Sequence, residues 1–205
     1  MDGTSCAARL SPALLATLEP VIAVTEIRVN RAPFLTLWGA VVARRLGYDE
    51  DEALTLGKAV AGLTAQAKGR RLGIYEPSPA EEQEKTAAER ERLGAERLEF
   101  MGRLVPCLRT EKGLRALEGT TPSDPESVRR YLLSKFKDAL PLVEEKLTAL
   151  AARFEPGELD KQAMALYMQL RPLVPSGEAG WGRAGVLDLG KIDALIAGRG
   201  TTSTP

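Results

Sequence analysis

The run Lys68-Gly69-Arg70-Arg71-Leu72-Gly73 sets one ammonium and two guanidinium groups within four positions and brackets the arginines with glycines. Guanidinium groups hold phosphate through paired N–H donors, and lysine adds a compact point charge. The chemistry such a run offers is the binding of an anion. Arg28 and Arg31 are candidates to join the same patch in space. The run is not a P-loop: the Gly-x-x-x-x-Gly-Lys-Ser/Thr pattern is absent, and it falls where a helix ends, whereas phosphate is cradled where helices begin. The competing explanation is structural, a helix C-terminus whose cations offset the dipole and whose glycine ends the turn.

Catalytic chemistry is narrowed by what the chain lacks. There is no histidine among its 205 residues, which excludes Ser-His-Asp and Cys-His nucleophiles, histidine-ligated zinc and a histidine general base. Cys6 and Cys107 are too far apart in sequence for a metal-binding pair and too few for a disulfide framework. The acidic run Glu81, Glu82, Glu84, Glu89 and Glu91 has the carboxylates of a metal site, but helical di-metal sites also draw on Glu-x-x-His, so a solvated helix face is expected instead. Carboxylate chemistry, with or without magnesium, is the main catalytic route left open. No cofactor and no metal ligand are assigned, and the protein is expected not to be an enzyme.

Charge sets the scale of any polyanion site. The 28 basic and 28 acidic residues cancel, so nucleic acid would have to meet a local patch. Arg129, Arg130, Lys135 and Lys137 flank an apolar stripe and are expected on an exposed helix face. Trp181, in Gly-Trp-Gly-Arg, is expected to anchor a loop. No run of about 18 apolar residues is present, so no membrane span and no membrane partner are expected, and a reducing cytoplasm is the simplest compartment.

The elements that must position these residues read as helices. Hydrophobic residues make up 44% of the chain and aromatics only 5%, with Ala and Leu abundant, a composition that favours helix packing over a β-sandwich. The expected fold is all-α, a compact array of seven or eight helices with a charged central helix. Residues 1–10 are expected to form a flexible N-terminus, 11–197 one helical domain, and 198–205 a disordered tail. Within the domain, blocks 11–75 and 120–197 are joined by a charged helix over 80–104. Ser11 and Pro12 open a first helix. Helix 33–46 carries Phe34, Leu37, Trp38, Val41 and Val42 on one stripe, with Gly47 as its left-handed cap. Asp49 caps the next helix, whose small-residue face Ala53, Leu56, Gly57, Val60, Ala61 and Thr64 permits a close crossing, and Gly69 is expected to stop it. In the second half of helix 80–104, Leu93, Leu98 and Met101 would dock a partner or a second copy of the chain.

The 41–63 stretch has helix-turn-helix punctuation. A DNA reader wants polar and basic residues at the start of its second helix. Here that start is Asp49, Glu50, Asp51 and Glu52, which phosphates would repel. The spacing of Leu46-Gly47, the acidic cap and Ala53-Leu54 resembles the helix pair of the HD-domain phosphohydrolases. Those need a His-Asp metal pair, so the resemblance implies packing alone. The start Arg31-Ala-Pro-Phe-Leu-Thr-Leu-Trp38, the Lys-Gly-x-x-Leu-Gly run and block 124–196 resemble uncharacterised bacterial helical proteins, which implies an independent helical protein and no mechanism. Two functions follow as expectations: a non-enzymatic binder of nucleic acid or another phosphate ligand through the basic run, or a protein-interaction module working through helix 80–104.

Overall fold

The structure, a computed structural model, describes residues 26–174 and 183–198. The expected flexible N-terminus, the helix from Ser11, the Trp181 anchor and the tail beyond residue 198 lie outside the described residues. The described chain is mixed α/β, which overturns the all-α expectation. It runs β1 (Ile27–Val29), α1 (Arg31–Arg45), α2 (Glu50–Arg71), α3 (Ala80–Arg92), β2 (Glu96–Phe100), β3 (Arg103–Thr110), β4 (Gly113–Glu118), β5 (Thr121–Pro122), α4 (Pro125–Phe136), a short 3₁₀ turn, α5 (Leu140–Ala151), α6 (Pro156–Leu170), β6 (Gly185–Leu187) and α7 (Leu189–Ile196). One antiparallel sheet has the order β2-β3-β4-β5, and β1 pairs with β6 in a second.

α1 is the axis of the fold. Every residue from Pro33 to Ala43 is buried, so the helix has apolar neighbours on all sides rather than along the single expected stripe. α2, α4, α5 and α6 surround it. The Trp38 indole Nε1 donates to the Ala163 carbonyl at 2.8 Å, and Phe34 stacks on Tyr167 at 6.2 Å between centroids. Gly47 (φ +98°) ends the helix as expected, with Tyr48 N–H returning to the Ala43 carbonyl. Asp49 then accepts from Glu52 N–H at 2.7 Å while Glu52 accepts from Asp49 N–H at 3.2 Å, a reciprocal cap that starts α2. The two helices cross at Gly39 and Gly57. A Cβ built on Gly57 would stand 2.3 Å from the Thr36 carbonyl oxygen.

The meander β2-β3-β4-β5 occupies most of what reads in sequence as the second half of a long charged helix. α3 stops at Arg92, and Gly94 (φ +72°) releases the chain into β2. Leu98 and Phe100 then alternate inward against exposed Arg97 and Glu99, as do Val105 and Cys107 on β3. Met101 and Gly102 (φ +51° and +67°) close the first hairpin, with Phe100 opposite Arg103. Met101 is therefore a buried turn residue, tied to α6 by its N–H donating to Asp160 Oδ1 at 2.8 Å.

Of the four carboxylates at the start of α2, Asp51 and Glu52 fasten this sheet to the helices. Glu52 Oε1 accepts from Leu114 N–H at 2.7 Å, and Glu50 meets Arg44 at 2.9 Å. Asp51 lies 3.3 Å from both Arg115 of β4 and Arg129 of α4. The Arg115 side chain is 6% exposed, so Asp51→Asn would leave a buried guanidinium without its carboxylate. The expected loss is about 1–2 kcal/mol, held down because Asp51 itself meets solvent. A denaturant titration reads this as a lower midpoint. An unchanged midpoint would mean that the Leu114 carbonyl alone satisfies Arg115.

Candidate functional site

The basic run folds as a helix terminus with its backbone groups satisfied. α2 continues through Gly69 to Arg71, past the stop expected at Gly69, and Gly73 (φ +66°) is the left-handed residue that ends it. Ile74 N–H reaches the Gly69 carbonyl at 2.9 Å and Gly73 N–H the Arg70 carbonyl at 3.1 Å, the paired bonds of a Schellman motif. Gly69 also makes room for a side chain, since a Cβ there would meet Tyr75 Cβ at 2.7 Å. Glycine thus lets Tyr75 fold back against the end of the helix.

The α1–α2 hairpin is antiparallel, so the start of α1 lies beside this end of α2. Arg31 is the first residue of α1, and its Nε donates to the Pro172 carbonyl at 3.2 Å, drawing the exit of α6 alongside. The same exit is clamped by Leu173, whose N–H and C=O exchange bonds with Val186 of β6 at 2.9 and 2.8 Å. Arg31, Lys68, Arg71 and Arg171 are consequently gathered from three helix ends. Partial desolvation of the Lys68 ammonium, then the guanidinium groups of Arg31, Arg171 and Arg71, hold its pKa below the ordinary lysine value. Tyr167 lies at the edge of this field; burial pushes its phenol up, and Arg31 and Arg171 oppose that shift.

The expected patch is partly redrawn. Lys68, Arg71 and Arg31 converge. Arg28 is engaged by Glu26 at 3.0 Å on the exposed side of β1. Arg70 turns toward the Tyr75 ring, its guanidinium carbon 5.7 Å from the centroid. Arg171 is not identifiable from sequence, since it follows α6 about a hundred residues further along the chain. Among the described residues no carboxylate forms a salt bridge with Arg31, Arg71 or Arg171. Arg31 stands at the start of α1, where the macrodipole favours an anion, so compensation of helix dipoles does not account for all four cations.

Beside the cations the surface is apolar. Leu72 is 51% exposed and Ile74 63%, with Tyr75 next to them. Ala65, Gln66, Gly69, Ile74 and Tyr75 line a shallow recess of about 240 Å³. A larger cleft of about 520 Å³ lies between α3 and the β2–β3 edge, but Arg90 and Arg97 share it with Glu84, Glu91 and Glu96, so it presents no field of one sign. Among the described residues no three His, Cys, Asp or Glu side chains converge in a metal-holding group. Cys107 is fully buried, and burial pushes its thiol up to about 12.

Leu93, Leu98 and Met101 do not share a helix face. Leu93 caps α3 and is exposed, Leu98 sits half-buried on β2, and Met101 is buried in the following turn. Among the described residues no helix is long and apolar enough to cross a membrane. No protein-family model matches the chain, and comparison with curated proteins and with solved structures gave no significant match.

Proposed function

We propose that the protein is a non-enzymatic binder of a phosphate-bearing ligand, with nucleic acid as the ligand class, and that it binds through the basic junction of α1, α2 and α6. The observation that carries this is the convergence of Arg31, Lys68, Arg71 and Arg171. Like charges so placed repel one another, and a bound anion relieves that repulsion. The cations come from three helix ends, which suits a ligand with phosphates in series. A cytoplasmic setting without a membrane partner goes with this function, in keeping with two distant cysteines and no disulfide framework.

The test is a titration of labelled nucleic acid at several salt concentrations, beside a variant with Arg31, Lys68, Arg71 and Arg171 all replaced by Gln. Salt-sensitive binding by the wild type that is lost in the variant is the expected result. No binding by the wild type at low salt overturns the proposal.

A second reading, an interaction module built on α3, is supported by one observation. α3 has no buried residue, and a lone helix of 13 residues is marginal in water. Arg90 ties it to the rest of the chain, its Nε donating to the Gly119 carbonyl at 2.6 Å. If α3 docks a second copy through the neighbouring Leu93 and Leu98, sedimentation shows a concentration-dependent dimer that Leu93→Asp disperses. A monomer at every concentration removes the self-association form of this reading.

A further inference from the structure

We infer that the basic junction is built for single-stranded rather than duplex nucleic acid, with Tyr75 as a stacking platform beside the cations. A duplex offers a protein its phosphates and its base edges, while the faces of its bases are hidden in the stack. A cation cluster alone would serve a duplex well. The surface here adds Tyr75, Ile74 and Leu72, which gain nothing from a phosphate backbone and which water penalises. Single strands expose base faces, and proteins that hold them combine a positively charged track with aromatic side chains on which bases stack.

The local geometry fits that division of labour. The Schellman turn at Gly73 and the close approach of Tyr75 to Gly69 fix the backbone and Cβ from which the ring projects before any ligand arrives, so binding has less of the chain to order. Arg70 lies against the ring at 5.7 Å. The guanidinium lies over one face of the ring, so on that side a base would meet the guanidinium plane, which also stacks on bases, and on the other the ring itself. The recess between Tyr75, Ile74 and Ala65 is smaller than the pockets that enclose whole ligands, and it suits the edge of one ring. Lys68 and Arg71 stand on the same turn of α2, next to the platform, which sets phosphate contacts and a base contact side by side.

Because this rests on the anion-binding function proposed above, the experiment separates the two. A labelled oligonucleotide of mixed sequence is titrated as a single strand and as the duplex with its complement, at matched salt, against wild type, Tyr75→Ala, Tyr75→Phe and Tyr75→Leu. The wild type is expected to bind the single strand more tightly. Tyr75→Ala and Tyr75→Leu are expected to lose about 5-fold or more in single-strand affinity with no change in the salt slope, because stacking releases no counterions. Tyr75→Phe keeps the aromatic face and restores the affinity. The duplex is expected to register none of these changes. Equal or tighter duplex binding, or full single-strand affinity in Tyr75→Leu, overturns the inference while leaving the anion-binding function standing. Binding of neither form by the wild type removes both.

Discussion

Gly57→Ala lowers stability by about 2 kcal/mol or more, against the ordinary behaviour of the substitution. In a helix interior, Ala is worth about 0.8–1.0 kcal/mol over Gly. At Gly57 that gain is overwhelmed. The new Cβ would stand 2.3 Å from the Thr36 carbonyl oxygen, 2.7 Å from Ala40 N and 3.2 Å from the Gly39 carbonyl carbon. All three are backbone atoms of α1 and cannot rotate aside, so the helices themselves must part. α1 is buried all round, and moving it disturbs its packing on α4, α5 and α6 as well, which is the usual way overpacking reaches several kcal/mol. Gly62 of the same helix supplies the control, since a Cβ there meets nothing within 4 Å. Gly62→Ala is expected to stabilise by up to about 1 kcal/mol. Thermal unfolding reads the pair: about 5 °C or more downward for Gly57→Ala and about 2–4 °C upward for Gly62→Ala. Equal upward shifts would mean that the helices do not approach as closely as the glycines require.

The local rules that sequence obeys are strongest where a few adjacent residues decide the outcome. The end of α1 at Gly47, the cap at Asp49 and the small-residue face around Gly57 each depend on chemistry within one or two turns, and each is readable without the rest of the chain. The stretch 96–118 is different. Its strands carry Arg97, Glu99, Arg109 and Arg115 among their apolar residues, and it follows a Glu- and Arg-rich helix with no proline or serine to announce a change. Helix propensity and strand alternation then compete over runs of five to eight residues, and propensity prevails only if the hairpin signals are overlooked. Those signals are present: Met101-Gly102, Lys112-Gly113 and Gly119-Thr120 fall where tight turns close the meander. Arg115 adds a trap, because a charged residue reads as exposed until Asp51 and the Leu114 carbonyl are seen to receive it.

The candidate site divides along the same line. Lys68, Arg70 and Arg71 declare themselves by adjacency. That Arg31 and Arg171 join Lys68 and Arg71, while Arg28 goes to Glu26, is decided by the antiparallel hairpin of α1 and α2 and by the bond from Arg31 to Pro172. No spacing rule along the chain encodes that. The four carboxylates Asp49 to Glu52 show the converse. Read as a surface they argue against a polyanion, yet they are engaged by the cap, by Arg44, by Arg115 and Arg129, and by Leu114 N–H. They lie at the opposite end of α2 from the cations, about 30 Å away for a helix of 22 residues. At physiological salt that is several Debye lengths, so their charge does not cancel the basic junction.

The salt dependence of binding then counts the cations that take part. Each phosphate neutralised on a single strand steepens the fall of log affinity with log salt by about 0.7, and on a duplex by about 0.9. If Arg31, Lys68, Arg71 and Arg171 each meet one phosphate, raising salt fourfold weakens single-strand binding by about 50-fold. Replacing the four with Gln removes that dependence and leaves the remainder owed to Arg70 and to stacking. Fold loss is separated from charge loss by the denaturation midpoint, which the Arg31 bond to Pro172 makes the more necessary to measure. A charge-matched variant, Lys112, Arg130, Lys161 and Lys191 to Gln, removes four exposed cations elsewhere. If the junction is the site, the matched variant keeps the wild-type slope while the junction variant flattens it. Equal slopes in the two variants would assign whatever binding is seen to diffuse charge, and the cluster would then be a helix terminus and nothing more.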